Sequence, residues 1–151
     1  MRYIELKEQL KTLSNCKVIS IGKTILGKEL YVICIKGTTT SSVIIQCAMH
    51  AREHITCDLI INLLNKYNGE FIPNIYIIPL VNPDGVEICE SGRYNYKANS
   101  RGVDINNNFN AKWNSLSYYS AYPCESGYAG KECESESETQ ALVKITKIIQ
   151  P

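Results

Sequence analysis

The chain has 151 residues, enough to bury one sizeable core, and it reads as a single domain over 1–151. Hydrophobic residues make up 44% and charged residues 21%, a balance that excludes an intrinsically disordered chain. A net charge of +1 gives no basis for nucleic acid or an anionic membrane as partner, and no apolar run is long enough to span a bilayer. The opening residues, Met1-Arg2-Tyr3-Ile4-Glu5-Leu6-Lys7, are amphipathic and charged, unlike a secretory signal. The cysteines (Cys16, Cys34, Cys47, Cys57, Cys89, Cys124 and Cys133) are odd in number and form no C-x-x-C pair, which points to a reducing cytoplasm rather than a disulfide framework.

In chain order, residues 3–13 carry Ile4, Leu6, Leu10 and Leu13 at helical spacing. Residues 17–21 and 29–36 read as strands joined by a hairpin at Gly27-Lys28, and the polar run 37–42 is a turn. The nearly continuous apolar run 43–48 is expected as a strand buried on both faces. Residues 55–67 form a helix whose apolar stripe is Ile55, Leu59 and Leu63, with Ile60 and Leu64 beside it, closed by Asn68-Gly69. A further buried strand over 75–81 is broken by the turn Asn82-Pro83-Asp84-Gly85. From Ser91 to Lys131 there is little periodicity, and so long an irregular stretch in a compact domain is usually functional. A last helix over 136–149 places Leu142, Ile145 and Ile149 on one face, while Glu132, Glu134, Glu136 and Glu138 read as its solvated, dipole-favoured start. Strands alternating with helices predict an α/β fold: a mixed, mostly parallel sheet with helices on both faces.

The chemistry concentrates in Met49-His50-Ala51-Arg52-Glu53-His54. An imidazole and a carboxylate three residues apart reach one metal ion from one turn of backbone, and zinc accepts both donors. The pair follows an apolar strand and precedes a helix, where open α/β sheets carry their sites. The chain holds only two histidines, so a zinc centre here depends on where a third ligand comes from.

His50 to Glu53, Asn82-Pro83-Asp84-Gly85, Gly102-Val103-Asp104-Ile105-Asn106-Asn107-Asn108-Phe109, Tyr128-Ala129-Gly130 and Ser135-Glu136-Ser137-Glu138-Thr139-Gln140-Ala141-Leu142 occur in that order. Together they resemble the zinc carboxypeptidases of the carboxypeptidase A family, over nearly the whole chain. The resemblance implies a Zn2+ cofactor with His50 and Glu53 as metal ligands, and a peptide substrate. It implies that Arg52 lines the substrate cleft, that Arg101 (or Arg93) stabilises the oxyanion, and that Asn106 binds the substrate carboxylate. Asn107 stands where the family carries a carboxylate-clamping arginine, and an amide lacks that charged bidentate fork. Ser137 replaces the family's proline. Asn107 together with the run from Lys97 to Asp104 is similar to the bacterial branch that cuts γ-D-glutamyl-diamino acid bonds in peptidoglycan peptides. The third ligand and the general base of the family lie beyond the last helix, so the resemblance is to the N-terminal part of a catalytic domain, truncated at its C-terminal side. A second polypeptide or self-association then completes the sheet. Two other readings stand beside this one: a catalytically incomplete fragment, and an inverted zincin in which His50 and His54 both bind zinc and Glu53 is the base, which requires one continuous helix.

Overall fold

The computed structural model describes residues 1–113, 115 and 120–151. Helix α1 (Tyr3–Thr12) leads into strand β1 (Lys17–Lys23), strand β2 (Glu29–Ile35) and strand β3 (Ser42–Gln46). Helix α2 (Ile55–Lys66), strand β4 (Asn74–Ile78), helix α3 (Pro83–Glu90) and helix α4 (Ser137–Ile149) follow. The β1–β2 hairpin forms as expected, with Gly27 in the left-handed region (φ 84°) at its turn, where a side chain would be strained.

Strands β2 and β4 carry apolar residues on both faces because both faces are covered. On one face Ile33, Ile75 and Ile77 pack against Leu6 and Leu10 of α1 and Cys57, Ile60 and Ile61 of α2. On the other face Val32 and Ile78 pack against Leu142 of α4, with Val81 and Ile105 beside them. Gly22 lets α4 lie close on β1, since a Cβ there would meet the Ala141 Cβ at 3.3 Å. Among the described residues no helix is long and apolar enough to cross a membrane.

The sheet is mixed, but the balance of directions departs from expectation. Among the described residues its order is β1-β2-β4-β3, with β1–β2 and β2–β4 antiparallel and β3–β4 parallel. The reason is the hairpin: β2 returns beside β1, and β4 then takes its free edge in the opposite direction. Strand β3 ends at the border, so its expected burial on both faces fails, and Val43 is 41% exposed.

Two further expectations are corrected. Asn82-Pro83-Asp84-Gly85 is no turn but the start of α3, with the Asn82 side chain accepting from the Gly85 N–H and Pro83 in the first helical turn. In α2 the stripe Ile55, Leu59 and Leu63 faces solvent, at 68%, 69% and 50% exposure, while Cys57, Ile60 and Ile61 face the sheet. The helix carries two apolar stripes, and periodicity alone does not choose between them.

Candidate functional site

The ladder between β3 and β4 continues past their ends, through the Cys47 N–H to the Ile78 carbonyl and the Val81 N–H to the Cys47 carbonyl. This fixes the entry of the segment that carries His50. His50 itself is extended (φ −85°, ψ 132°), and Ala51–Glu53 form one 3-10 turn closed by the Glu53 N–H donating to the His50 carbonyl at 3.0 Å. That turn brings the two side chains to one side, with His50 Nδ1 3.1 Å from Glu53 Oε1. The other ring nitrogen, Nε2, lies 3.2 Å from Oδ1 of Asp104, which is buried. The contact is an ion-pair approach rather than an aligned hydrogen bond, and it leaves Asp104 Oδ1 otherwise without a partner. Asp104 raises the pKa of His50 above its ordinary value; burial opposes this and Glu53 adds to it.

One imidazole nitrogen and one carboxylate oxygen thus converge, while a second carboxylate holds the far side of the ring. That arrangement fits a metal-ligating histidine: the outer carboxylate fixes the ring's orientation and keeps a proton on Nε2, leaving Nδ1 to the metal. His50 and Glu53 fit two of the three protein ligands that a catalytic zinc takes. Among the described residues no group of three histidine, cysteine, aspartate or glutamate side chains is assembled to hold a metal, so the third donor is not in this arrangement. Asp104→Asn is expected to weaken zinc binding by about 10–100-fold, measured by competition with a chromophoric chelator, and to lower the His50 pKa in an NMR titration. An unchanged affinity would show that the Asp104 contact does not orient the ring.

His54 takes no part in this cluster. Its Nδ1 lies 3.4 Å from the Met1 amine and 3.7 Å from Glu90 Oε1. Because His50 is extended and residues 51–53 form a separate 3-10 turn, the continuous helix that an inverted zincin requires is not formed. That reading is therefore corrected by the backbone.

Arg52 is exposed, with Nε 3.9 Å from Glu53 Oε1. Arg101 is exposed on the segment before Asp104 and directs Nη1 to the buried Glu136 at 3.8 Å. Arg93, the alternative to Arg101, lines a cavity together with Arg52, whereas Arg101 does not. Asn106 and Asn107 lie on the 3-10 turn Ile105–Asn107 directly after Asp104, with Asn106 exposed and Asn107 buried. The acidic helix start is not solvated throughout: Glu136 and Glu138 are each 1% exposed. Glu136 accepts from Asn99 Nδ2 at 2.7 Å, while burial raises the Glu138 pKa.

Sequence reasoning passed over three residues that build the site. Asp104 lay in a quoted motif without a role. Asn82 donates from Nδ2 to the Met49 carbonyl at 3.2 Å and the Ala98 carbonyl at 3.0 Å, tying the His50 segment to the loop beside it; an asparagine before a proline at a helix start was the available signal. Asn108 is fully buried and donates to the Ala129 and Glu132 carbonyls at 2.9 and 3.0 Å; nothing in its local sequence marks it.

The sequence pattern of the family described as zinc carboxypeptidase matches residues 4–150. The human mast cell carboxypeptidase A is 31% identical over 150 residues, spanning 85% of this chain and 36% of that relative. The chain therefore spans about a third of the length of the curated relatives it matches. Bovine thrombin-activatable fibrinolysis inhibitor, solved with a tick carboxypeptidase inhibitor, superposes with a TM-score of 0.85 at 23% identity, over 98% of this chain and 56% of that one. The murein-tripeptide amidase of Escherichia coli O157 gives a TM-score of 0.68 at 23% identity, over 91% of this chain and 63% of that one. At these identities the two structures share the fold.

Proposed function

This chain belongs to the zinc carboxypeptidase family, and we propose that it contributes His50 and Glu53 to the zinc centre of a peptide hydrolase. The observation that carries this is the convergence of His50 Nδ1 and Glu53 Oε1 at 3.1 Å, with Asp104 behind the ring. Zinc in such a centre polarises the scissile carbonyl and activates a water. The chain's own residues do the rest of what it offers. Asp104 holds the Nε2 side of the ring, and Glu53 sets its carboxylate beside Nδ1 as the second metal donor. Arg52 flanks the cleft, and an arginine, Arg101 or Arg93, meets the charge that develops on the carbonyl oxygen. Asn106, exposed on its turn, receives the substrate carboxylate. The remaining metal donor and the general base come from outside the described residues.

We further propose a γ-D-glutamyl-diamino acid bond in a peptidoglycan peptide as the bond cut. Asn107, an amide in the clamp position, supports this, as does the run from Lys97 to Asp104. The free thiols, among them the exposed Cys124, accord with work in a reducing cytoplasm.

The test is equilibrium dialysis of the purified chain against zinc, with Glu53→Ala beside it. Weak uptake of at most one zinc per chain through these two ligands, abolished in the variant, is the expected result. Equal uptake by both proteins overturns the assignment of Glu53, and no uptake by either overturns the centre.

A further inference from the structure

Glu138 is a buried acid that the proposed zinc chemistry does not use. It lies in the first turn of α4 and is 1% exposed. Its Oε2 accepts from the Ser137 hydroxyl at 3.1 Å, and among the described residues no donor reaches Oε1. The charges that act on it repel an anion. Glu136 at the start of the same helix and Asp84 in the first turn of α3 are both buried carboxylates. The cations near those two are already engaged: Lys28 Nζ lies 2.7 Å from Asp84 and 3.0 Å from Glu87, and Arg101 Nη1 lies 3.8 Å from Glu136. On β1, where Gly22 meets Ala141 of α4, the charged residues Lys17 and Lys23 are exposed, and Lys23 pairs with Glu29 at 3.0 Å. Cys34 and Tyr76 pack on the apolar cluster that includes Leu142. Among the described residues no cation lies within salt-bridge distance of Glu138. Burial, Glu136 and Asp84 therefore raise its pKa; its own backbone N–H and the Ser137 hydroxyl oppose this, and the net shift is upward.

The same helix start fastens the segment that carries Asp104. Glu136 Oε2 accepts from Asn99 Nδ2 at 2.7 Å, and Asn99 Oδ1 accepts from the Arg101 and Val103 N–H groups, both at 3.0 Å. On the other side the Glu136 N–H donates to Asn108 Oδ1 at 3.1 Å. Asp104, which stands behind His50, lies between these two fastenings. A charge placed on Glu138 inside this dry wall repels the Glu136 carboxylate on which the Asn99 bond depends, and water screens little of that repulsion.

We propose that Glu138 is a buried proton switch on the site: protonated, it lets the start of α4 seat on the segment 99–108, and ionised, it loosens that seat and with it the placement of Asp104 behind His50. Its effect on function rests on the zinc-centre reading, while the switch itself is a property of the fold. A carboxyl whose folded pKa is raised contributes fully to stability below its unfolded pKa and loses that contribution as pH rises through the folded value. The loosening therefore begins above the ordinary value of 4.5 and grows with pH.

The experiment follows the side-chain carboxyl of Glu138 by carbon NMR in the full labelled chain as pH is raised, with hydrogen exchange of the Arg101 and Val103 amides alongside. Glu138 is expected to ionise above the ordinary glutamate range. As it does so, protection of the two amides, corrected for the intrinsic rise of exchange with pH, is expected to fall by up to about tenfold per pH unit, the limit set by one linked proton. In Glu138→Gln, which stays neutral throughout, that fall is expected to vanish. An ordinary glutamate midpoint, or the same fall in protection in the variant, overturns the switch. Where the variant does not fold, the titration and exchange of the parent chain decide: a midpoint in the ordinary range, or protection that does not follow it, overturns the switch. Neither readout needs zinc. Failed zinc uptake therefore removes the metal centre while leaving the switch, and an ordinary titration of Glu138 removes the switch while leaving the centre.

Discussion

Lys28→Met is expected to lower the free energy of unfolding by about 3–5 kcal/mol. Lys28 lies on the hairpin turn, and its Nζ is 2.7 Å from Asp84 Oδ1 and 3.0 Å from Glu87 Oε2. The Asp84 side chain is fully buried, and its other oxygen has only two long contacts, from Leu26 N and Ser100 Oγ, both at 3.4 Å. Removing the ammonium strands a carboxylate in the interior, which costs far more than the pair contributes when intact. Glu87 is half exposed and matters little. Burial by itself lowers the Lys28 pKa, but the bonds to Asp84 and Glu87 outweigh it and the net shift is upward. A lysine whose folded pKa is raised contributes fully below its unfolded pKa and loses that contribution as pH rises through the folded value. On the alkaline side the lysine's contribution is thus at full strength at neutral pH and fades in strong alkali. Urea unfolding at pH 7 measures the loss, and Lys28→Met combined with Asp84→Asn is expected to recover most of it. A single-variant loss below about 1 kcal/mol would show that the carboxylate finds water instead.

Asn108→Ala is expected to cost about 3 kcal/mol, read from the same unfolding curves. Nδ2 of Asn108 donates to the Ala129 and Glu132 carbonyls and to Ser135 Oγ, at 2.9, 3.0 and 3.0 Å, and Oδ1 accepts from the Glu136 N–H at 3.1 Å. The side chain therefore binds the irregular 129–136 segment to the turn that follows Asp104. Alanine leaves the Glu132 carbonyl and the Glu136 N–H short of partners, although Trp113 Nε1 still reaches the Ala129 carbonyl at 3.0 Å. Asn108→Asp keeps the acceptor but loses the donors, and is expected to be no better. A variant as stable as the parent would mean that the segment is held by packing alone.

Much of the fold was legible in local pattern. The α1 helix, the β1–β2 hairpin, the span of α2 and the α4 helix all follow from periodicity and turn residues, and they appear within a residue or two of their expected bounds. The pair His50 and Glu53 was legible too, because three residues of separation across a strand end is a local geometric fact. What failed were the statements about which face of an element is buried. The α2 stripe was assigned to the wrong side because Ile55, Leu59 and Leu63 are as apolar as Cys57, Ile60 and Ile61. Glu136 and Glu138 read as solvated because an acidic helix start is normally exposed, and the approach of Asn99, Ser135 and Arg101 shows why Glu136 is held inside.

The sequence by itself determined the class of the fold, the nearness of His50 to Glu53 and the order of motifs that marks the family. These reside in spacing along the chain, and backbone geometry converts spacing directly into local structure. The tertiary structure alone decided the antiparallel majority of the sheet, the pairing of Lys28 with Asp84 across 56 residues, and the exclusion of His54 from the site. It alone also brought Asp104 behind His50 and set Lys97 and Arg93 beside Arg52. Those outcomes depend on contacts between segments far apart in sequence, whose selection is a competition for burial and charge pairing that no local window contains.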